Sequence, residues 1–160
     1  MAWTTPKTWT SEVLTSDDMN TYLSDNTQYL YDEITYTPGE YTYTRGTATD
    51  YSTTSTSYVD IDNPNMVATI TTDGGDVLVT FASSLYGTTD AAARLAINYD
   101  STNWSPVRVR VNLINTNVSF SYVFNNVSAG SHTFRMRWFA TTGTINLRGL
   151  HTHFSVRELK

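Results

Sequence analysis

The residues best equipped for chemistry in this chain are three histidines and two closely spaced aspartates. His151 and His153 form an H-x-H pair. On a strand that spacing points both rings to one face, where two imidazole nitrogens can ligate a metal. Spacing sets no third ligand, although His132 or a symmetry-related copy can approach in three dimensions, and half-buried strand histidines are the preferred account of the pair. Asp60 and Asp62 repeat the geometry with carboxylates beside Asn63 and Asn65, a donor set suited to calcium, yet acids next to an Asn-Pro turn are ordinary loop chemistry. No G-x-S-x-G elbow, phosphate-cradling glycine loop or zinc-protease helix occurs. No catalytic set, metal or cofactor is therefore assigned, and the chain reads as non-enzymatic.

A second group of residues has the chemistry of recognition. Eleven tyrosines and four tryptophans offer surfaces on which sugar rings stack, and Tyr99 with Trp104, in an expected loop region, is the candidate glycan pair. Three strings match the N-glycosylation pattern, starting at Asn103, Asn117 and Asn126, but a chain this rich in Asn, Ser and Thr produces them by chance. With no cysteine, neither a disulfide framework nor a thiolate metal site is available.

The elements that must position these groups are mostly strands. After Pro38-Gly39 the apolar period is two. Val107, Val109 and Val111 alternate with Arg108, Arg110 and Asn112, while Phe120, Tyr122 and Phe124 alternate with serines. His132, Phe134, Met136 and Trp138 alternate with Thr133, Arg135 and Arg137, and Phe154 and Val156 with Ser155 and Arg157. Further strands are expected over 41–45, 57–61, 66–72, 77–82, 93–99 and 144–148. Turn signals separate them, among them Asn63-Pro64-Asn65, the Asp73–Asp76 run, Asp100-Ser101 and Ala129-Gly130. Many short strands with no intervening helix predict an all-β sandwich or jelly roll and exclude a parallel βαβ sheet. Residues 46–56 are polar and low in complexity, either a loop or an edge strand.

One helix precedes the strands. Thr15 and Asp18 have the spacing of a capping box, Leu14 and Met19 that of a hydrophobic staple, and Asp17 and Asp18 suit the positive end of the helix dipole. Met19, Leu23, Asn26 and Leu30 recur at steps of four and three with Tyr22 and Tyr29 beside them, predicting a helix over about 16–34 with one mainly apolar stripe. That stripe needs a partner: its own β-domain, symmetry mates or a host particle. A lone Asn in an apolar seam fixes register and oligomer state.

Composition and charge narrow the function classes. The net charge is −5, but residues 1–80 hold Lys7 and Arg45 against twelve acids, whereas residues 81–160 hold eight basic residues against three acids. The basic residues alternate with core positions along strands, so ion pairs within a sheet or across subunit contacts explain them, and nucleic acid is not an expected partner. The opening residues lack the apolar core of a signal peptide and no stretch reaches membrane-span length. A protein made and kept in soluble form is expected.

The opening W-T-T-P-x-T-W at residues 3–9, E-V-L-T at 12–15 and D-M-N-T-Y-L-S-D-N at 18–26, then Leu30, resembles the N-terminal signature of small tailed-bacteriophage virion structural proteins. The closing segments, residues 130–147 and 153–159, are similar to the last strands of trimeric jelly rolls of the C1q and tumour-necrosis-factor type. The resemblances imply residues 1–37 as an attachment and assembly arm with one α-helix, and 38–160 as a jelly-roll β-sandwich. They further imply a homotrimer at the virion surface, synthesised in the host cytoplasm and anchored to phage capsid or tail proteins. Capsid decoration or a head fibre is the expected role, with a tail-associated appendage or a module binding host-surface glycan as alternatives. Trp3, Trp9, Val13, Leu14, Met19, Leu23, Asn26 and Leu30 are the expected docking and assembly residues, since aromatic and aliphatic anchors carry most interface energy.

Overall fold

Alternation of apolar and polar side chains makes each strand one-sided, so two sheets must close on each other to hide their apolar faces. The computed structural model describes residues 15–35, 37–88 and 91–159, without the side chains of residues 20, 22, 33–35, 105 and 106. The chain divides into two compact units, Met1–Thr37 and Pro38–Lys160.

In the first unit the helix begins where the capping residues place it. Asp18 N–H donates to Thr15 Oγ1 at 3.2 Å, Thr15 N–H donates to Asp18 Oδ2 at 3.2 Å and the Thr15 hydroxyl donates to the same oxygen at 2.6 Å. This reciprocal box satisfies amide groups that the helix itself leaves unpaired. Helix α1 (Ser16–Met19) passes through a π-helical turn at Asn20–Ser24 into α2 (Asp25–Thr35), matching the expected span apart from the π turn. The other half of the staple, Leu14, lies outside the described residues.

The described residues of the second unit form eleven strands: β1 (Glu40–Thr44), β2 (Tyr51–Thr53), β3 (Val59–Asp60), β4 (Val67–Thr72), β5 (Gly75–Gly87), β6 (Ala91–Tyr99), β7 (Thr102–Val111), β8 (Thr116–Val127), β9 (Gly130–Thr142), β10 (Ile145–Leu147) and β11 (His153–Leu159). All described pairings are antiparallel. One sheet runs β1-β11-β5-β10-β2 with β8 on the other side of β5; the other runs β3-β9-β6-β7 with β4 also on β9. The fold is an all-β, jelly-roll-like sandwich.

Phe81, Phe134, Phe154, Trp138, Leu95, Ile97 and Leu147 are buried between the sheets, drawn from β5, β9, β11, β6 and β10. Those on β5, β9, β10 and β11 are inward members of alternating strands, which is why the period-two pattern marks them, whereas β6 is buried at most positions on both faces. Turn geometry follows the turn residues. Asp100 and Ser101 take φ of 41° and 83°, the paired left-handed conformation of a tight two-residue hairpin, and Gly74 takes φ of 99° between β4 and β5. Residues 46–56, for which the sequence allows either a loop or an edge strand, contain the short strand β2, which pairs only with β10 among the described strands.

Candidate functional site

Of the expected docking residues, Trp3, Trp9, Val13 and Leu14 lie outside the described residues. The stripe on the helix is partly different from the expected one. Met19, Leu23 and Leu30 are 42%, 54% and 49% exposed, as is Tyr31 at 62%, whereas Asn26 is buried. A π turn carries one extra residue per turn. That residue rotates the downstream helix by about 100° relative to an unbroken α-helix; beyond the turn Asn26 is buried while Leu30, four residues on along the same helix, is exposed. The helix therefore has apolar side chains open to solvent, with Leu23, Thr27 and Tyr31 bordering one shallow depression.

His151 and His153 do not share one strand face. His151 ends a 3₁₀ turn (Gly149–His151) and is exposed, while His153 starts β11 and approaches the Thr44 hydroxyl at 3.1 Å. The H-x-H spacing gives a common face only within one continuous strand, and the turn interrupts it before Thr152. His132 lies on the opposite sheet, buried at the end of the sandwich. Its Nδ1 meets Asp100 Oδ2 at 2.6 Å and its Nε2 meets the Ser128 carbonyl at 2.9 Å. Both ring nitrogens thus face acceptors, which favours the imidazolium. The hydrogen bond to Asp100 raises the His132 pKa, burial opposes this, and the Ser128 carbonyl and the Asp100 charge add to the rise. For Asp100, burial pushes the carboxyl up, but the His132 hydrogen bond, the Thr133 N–H and the imidazolium charge together hold it below its ordinary value. This pair ties the β6–β7 turn to the start of β9.

Asp60 and Asp62 serve separate cation networks instead of converging on one ion. Asp60 faces Arg137 at 3.0 Å and Arg135 at 3.6 Å. Asp62 receives the Tyr51 hydroxyl, the Asn65 amide at 3.1 Å and Arg45 at 3.5 Å. Among the described residues no group of three His, Asp or Glu side chains is arranged to hold a metal. Both carboxylates are engaged by protein donors. The Asp60 pairs, with Arg148 and Asp50 at 3.2 Å, join the basic second half of the chain to the acidic first half, as ion pairing within the fold requires.

Tyr99 is an inward residue. It stacks on Phe134 with ring centroids 5.0 Å apart and 12° between planes, and contacts Phe124 at 5.2 Å. The expected loop is a two-residue turn followed directly by β7, so the period-two pattern that begins at Ala91 carries Tyr99 to the core. Trp104 remains 43% exposed, its edge against Phe124 at 6.2 Å.

Two features escaped the sequence reading. Asp50 receives the Tyr86 hydroxyl at 2.9 Å, the Arg148 guanidinium at 3.2 Å and the Gly149 N–H at 3.1 Å, fixing the polar 46–56 segment. The Asp50 hydrogen bond, burial and the Asp50 charge raise the Tyr86 pKa against the opposing charge of Arg148. Nearby, Arg148 Nε donates to Asn115 Oδ1 at 3.3 Å, and Asn115 and Leu150 border the same depression. Leu113, Ile114 and Leu150, at that end of the sandwich, are 77%, 71% and 56% exposed. The signal available was the Asn112–Asn115 run, two aliphatics inside a polar turn.

No family model matches the sequence, and no curated protein matches it significantly. Among solved structures it is similar to a chain in the structure of infectious bursal disease virus Gx strain, with a TM-score of 0.53 and 10% identity over 76% of this chain and 32% of that one. It is also similar to Eiger TNF from S. frugiperda, with a TM-score of 0.49 and 11% identity over 78% of this chain and 94% of that one. For the PRD1 vertex protein P5 the values are 0.46 and 11%, over 77% and 96%. At 10% identity the likeness to the bursal disease virus chain carries the fold alone. This chain spans about a third of the viral chain, 32% of its length.

Proposed function

We propose that the chain is a non-enzymatic structural protein of a bacteriophage virion, a homotrimer of jelly rolls held to the particle by its N-terminal arm and helix. The observation that carries the reading is a helix with its capping box complete and its apolar residues Met19, Leu23 and Leu30 uncovered. A helix this short is marginal in water by itself, and an exposed apolar face on it is suited to a partner. The preceding tryptophans Trp3 and Trp9 supply further anchors of the kind that dominate interface energy.

The likeness to phage virion proteins in the opening signature supports this identity, and the jelly-roll sandwich is compatible with it. The non-enzymatic part rests on how the reactive side chains are used: His132 is engaged on both nitrogens, and Asp60 and Asp62 are engaged by cations and hydroxyls. Attachment would be mechanical. Three arms on one trimer raise the effective concentration for the second and third contact, so individually weak contacts give lasting attachment. Capsid decoration is favoured over a tail appendage because every described strand belongs to the sandwich and none builds a fibre shaft. Deleting residues 1–34 tests the arm: the β-domain should stay folded and fail to join assembled particles, and continued incorporation would refute the arm as anchor.

A further inference from the structure

The five strands of the β3-β9-β6-β7 sheet, β4 included, contain Arg94, Arg108, Arg110, Arg135 and Arg137 but a single acid, Asp60. Arg135 and Arg137 share that aspartate. Arg94, Arg108 and Arg110 have no ion pair with any described carboxylate. Arg94 stands directly opposite Arg108 in the β6–β7 register, an arrangement in which like charges oppose each other. The Arg94 Nε is buried without a hydrogen-bond partner, and its guanidinium lies 5.9 Å from the centre of the Phe139 ring.

Beside this cluster the sheet surface dips. Ala92, directly opposite Arg110, supplies only a methyl group, and the β6–β9 register slips between Ala92 and Ala93. At that slip Thr141 donates its hydroxyl to the Ala92 carbonyl at 3.0 Å. Bulges of this type re-aim side chains beside binding sites. The result is a depression of about 200 Å³ between Arg108 and Arg110 on one side and Thr141 and Thr142 on the other.

We propose that this depression binds an acidic sugar residue, with Arg108 and Arg110 gripping its carboxylate or sulfate and the ring lying over Ala92 against Thr142. Guanidinium groups pair with planar oxyanions through two hydrogen bonds, and an anion between arginines that no described carboxylate pairs relieves their mutual repulsion. The space suits one ring and its charged group. A nucleic acid is less suited: the aromatic ring on this face, Phe139, already packs edge-on against Tyr58 at 4.8 Å, and a net charge of −5 opposes a long polyanion. The site lies in the β-domain, not in the arm or helix, so its failure leaves the attachment reading intact.

The test is a titration of the ¹⁵N-labelled full chain with glucuronate, glucose 6-sulfate, glucose, inorganic phosphate and a short oligothymidylate, followed by amide shifts. The expected result is saturable shifts at Ala92, Arg110 and Thr142 with glucuronate, with glucose 6-sulfate or with both, the two arms identifying the preferred group, and none with glucose. Arg110→Ala should weaken binding about tenfold or more with the rest of the spectrum unchanged, and Arg157→Ala, on the other sheet, should leave binding as it is. No shifts with either acidic sugar at millimolar concentration would overturn the site. Equal binding of inorganic phosphate would overturn the sugar specificity, and tighter binding of the oligonucleotide would reassign the face.

Discussion

Replacing Asp100 with Asn should make the folded protein less stable and flatten its response to pH. His132 is 10% exposed and Asp100 42% exposed at their side chains, so the pair is partly screened by water. A charge-assisted hydrogen bond in that setting contributes about 1–2 kcal/mol, which for a domain of this size is a fall in Tm of about 3–8 °C. The sign with pH follows from the directions of the two shifts. The His132 pKa is raised on folding, so its stabilisation is complete below the unfolded value, about 6.5, and is lost as pH climbs through the folded value. The Asp100 pKa is lowered, so its share is present above the unfolded carboxylate value and is lost as pH falls through the folded one. The difference in Tm between the parent and Asp100→Asn should therefore peak in mildly acidic solution and shrink toward alkaline pH. Thermal unfolding followed by circular dichroism from about pH 5 to about pH 9 measures it. Subtracting the variant removes contributions common to both proteins. A difference that is constant across this range, or that grows as pH rises, would refute the assignment of a folded imidazolium.

Three further outcomes are expected. Gly149→Ala would drive a methyl group into the Thr47 and Thr49 carbonyls and should cost about 1–3 kcal/mol; an unchanged Tm would mean that the 46–50 segment is not held against this turn. Thr15→Ala removes the hydroxyl at the centre of the capping box and should cost about 1 kcal/mol of helix stability, read as faster amide exchange over 16–19 with the β-domain unaffected. Trp138→Ala empties a side chain that is 2% exposed in the core and should cost about 3–5 kcal/mol in a denaturant titration; a loss below about 1 kcal/mol would contradict its place between the sheets.

Much of the fold was legible because local patterns and tertiary burial agree. Phe134, Met136 and Trp138 alternate cleanly with Thr133, Arg135 and Arg137, and that period needs no partner strand to be read. The capping residues Thr15 and Asp18 likewise act within one turn, so the helix start followed from sequence. What failed was long-range. Ser83 and Ser84 are buried in β5, where the Ser83 hydroxyl meets that of Thr152 at 2.9 Å; their polarity made the strand look shorter than it is. His151 and His153 fit a strand spacing, but whether the strand begins before or after Thr152 depends on the Asp50 clamp on Gly149, a residue ninety-nine positions away. Tyr99 looked available because the loop after it was expected to be longer than the two residues that the hairpin uses. The basic face around Arg108 and Arg110 was half visible: its alternation was read correctly, but its lack of compensating acids depends on which strands share the sheet.

In the proposed assembly three copies of this chain surround one axis and present three arms. Light scattering on the purified full chain at micromolar concentration tests it most directly. A trimer has the mass of three 18.0 kDa chains; a mass near that of one chain would overturn the assembly.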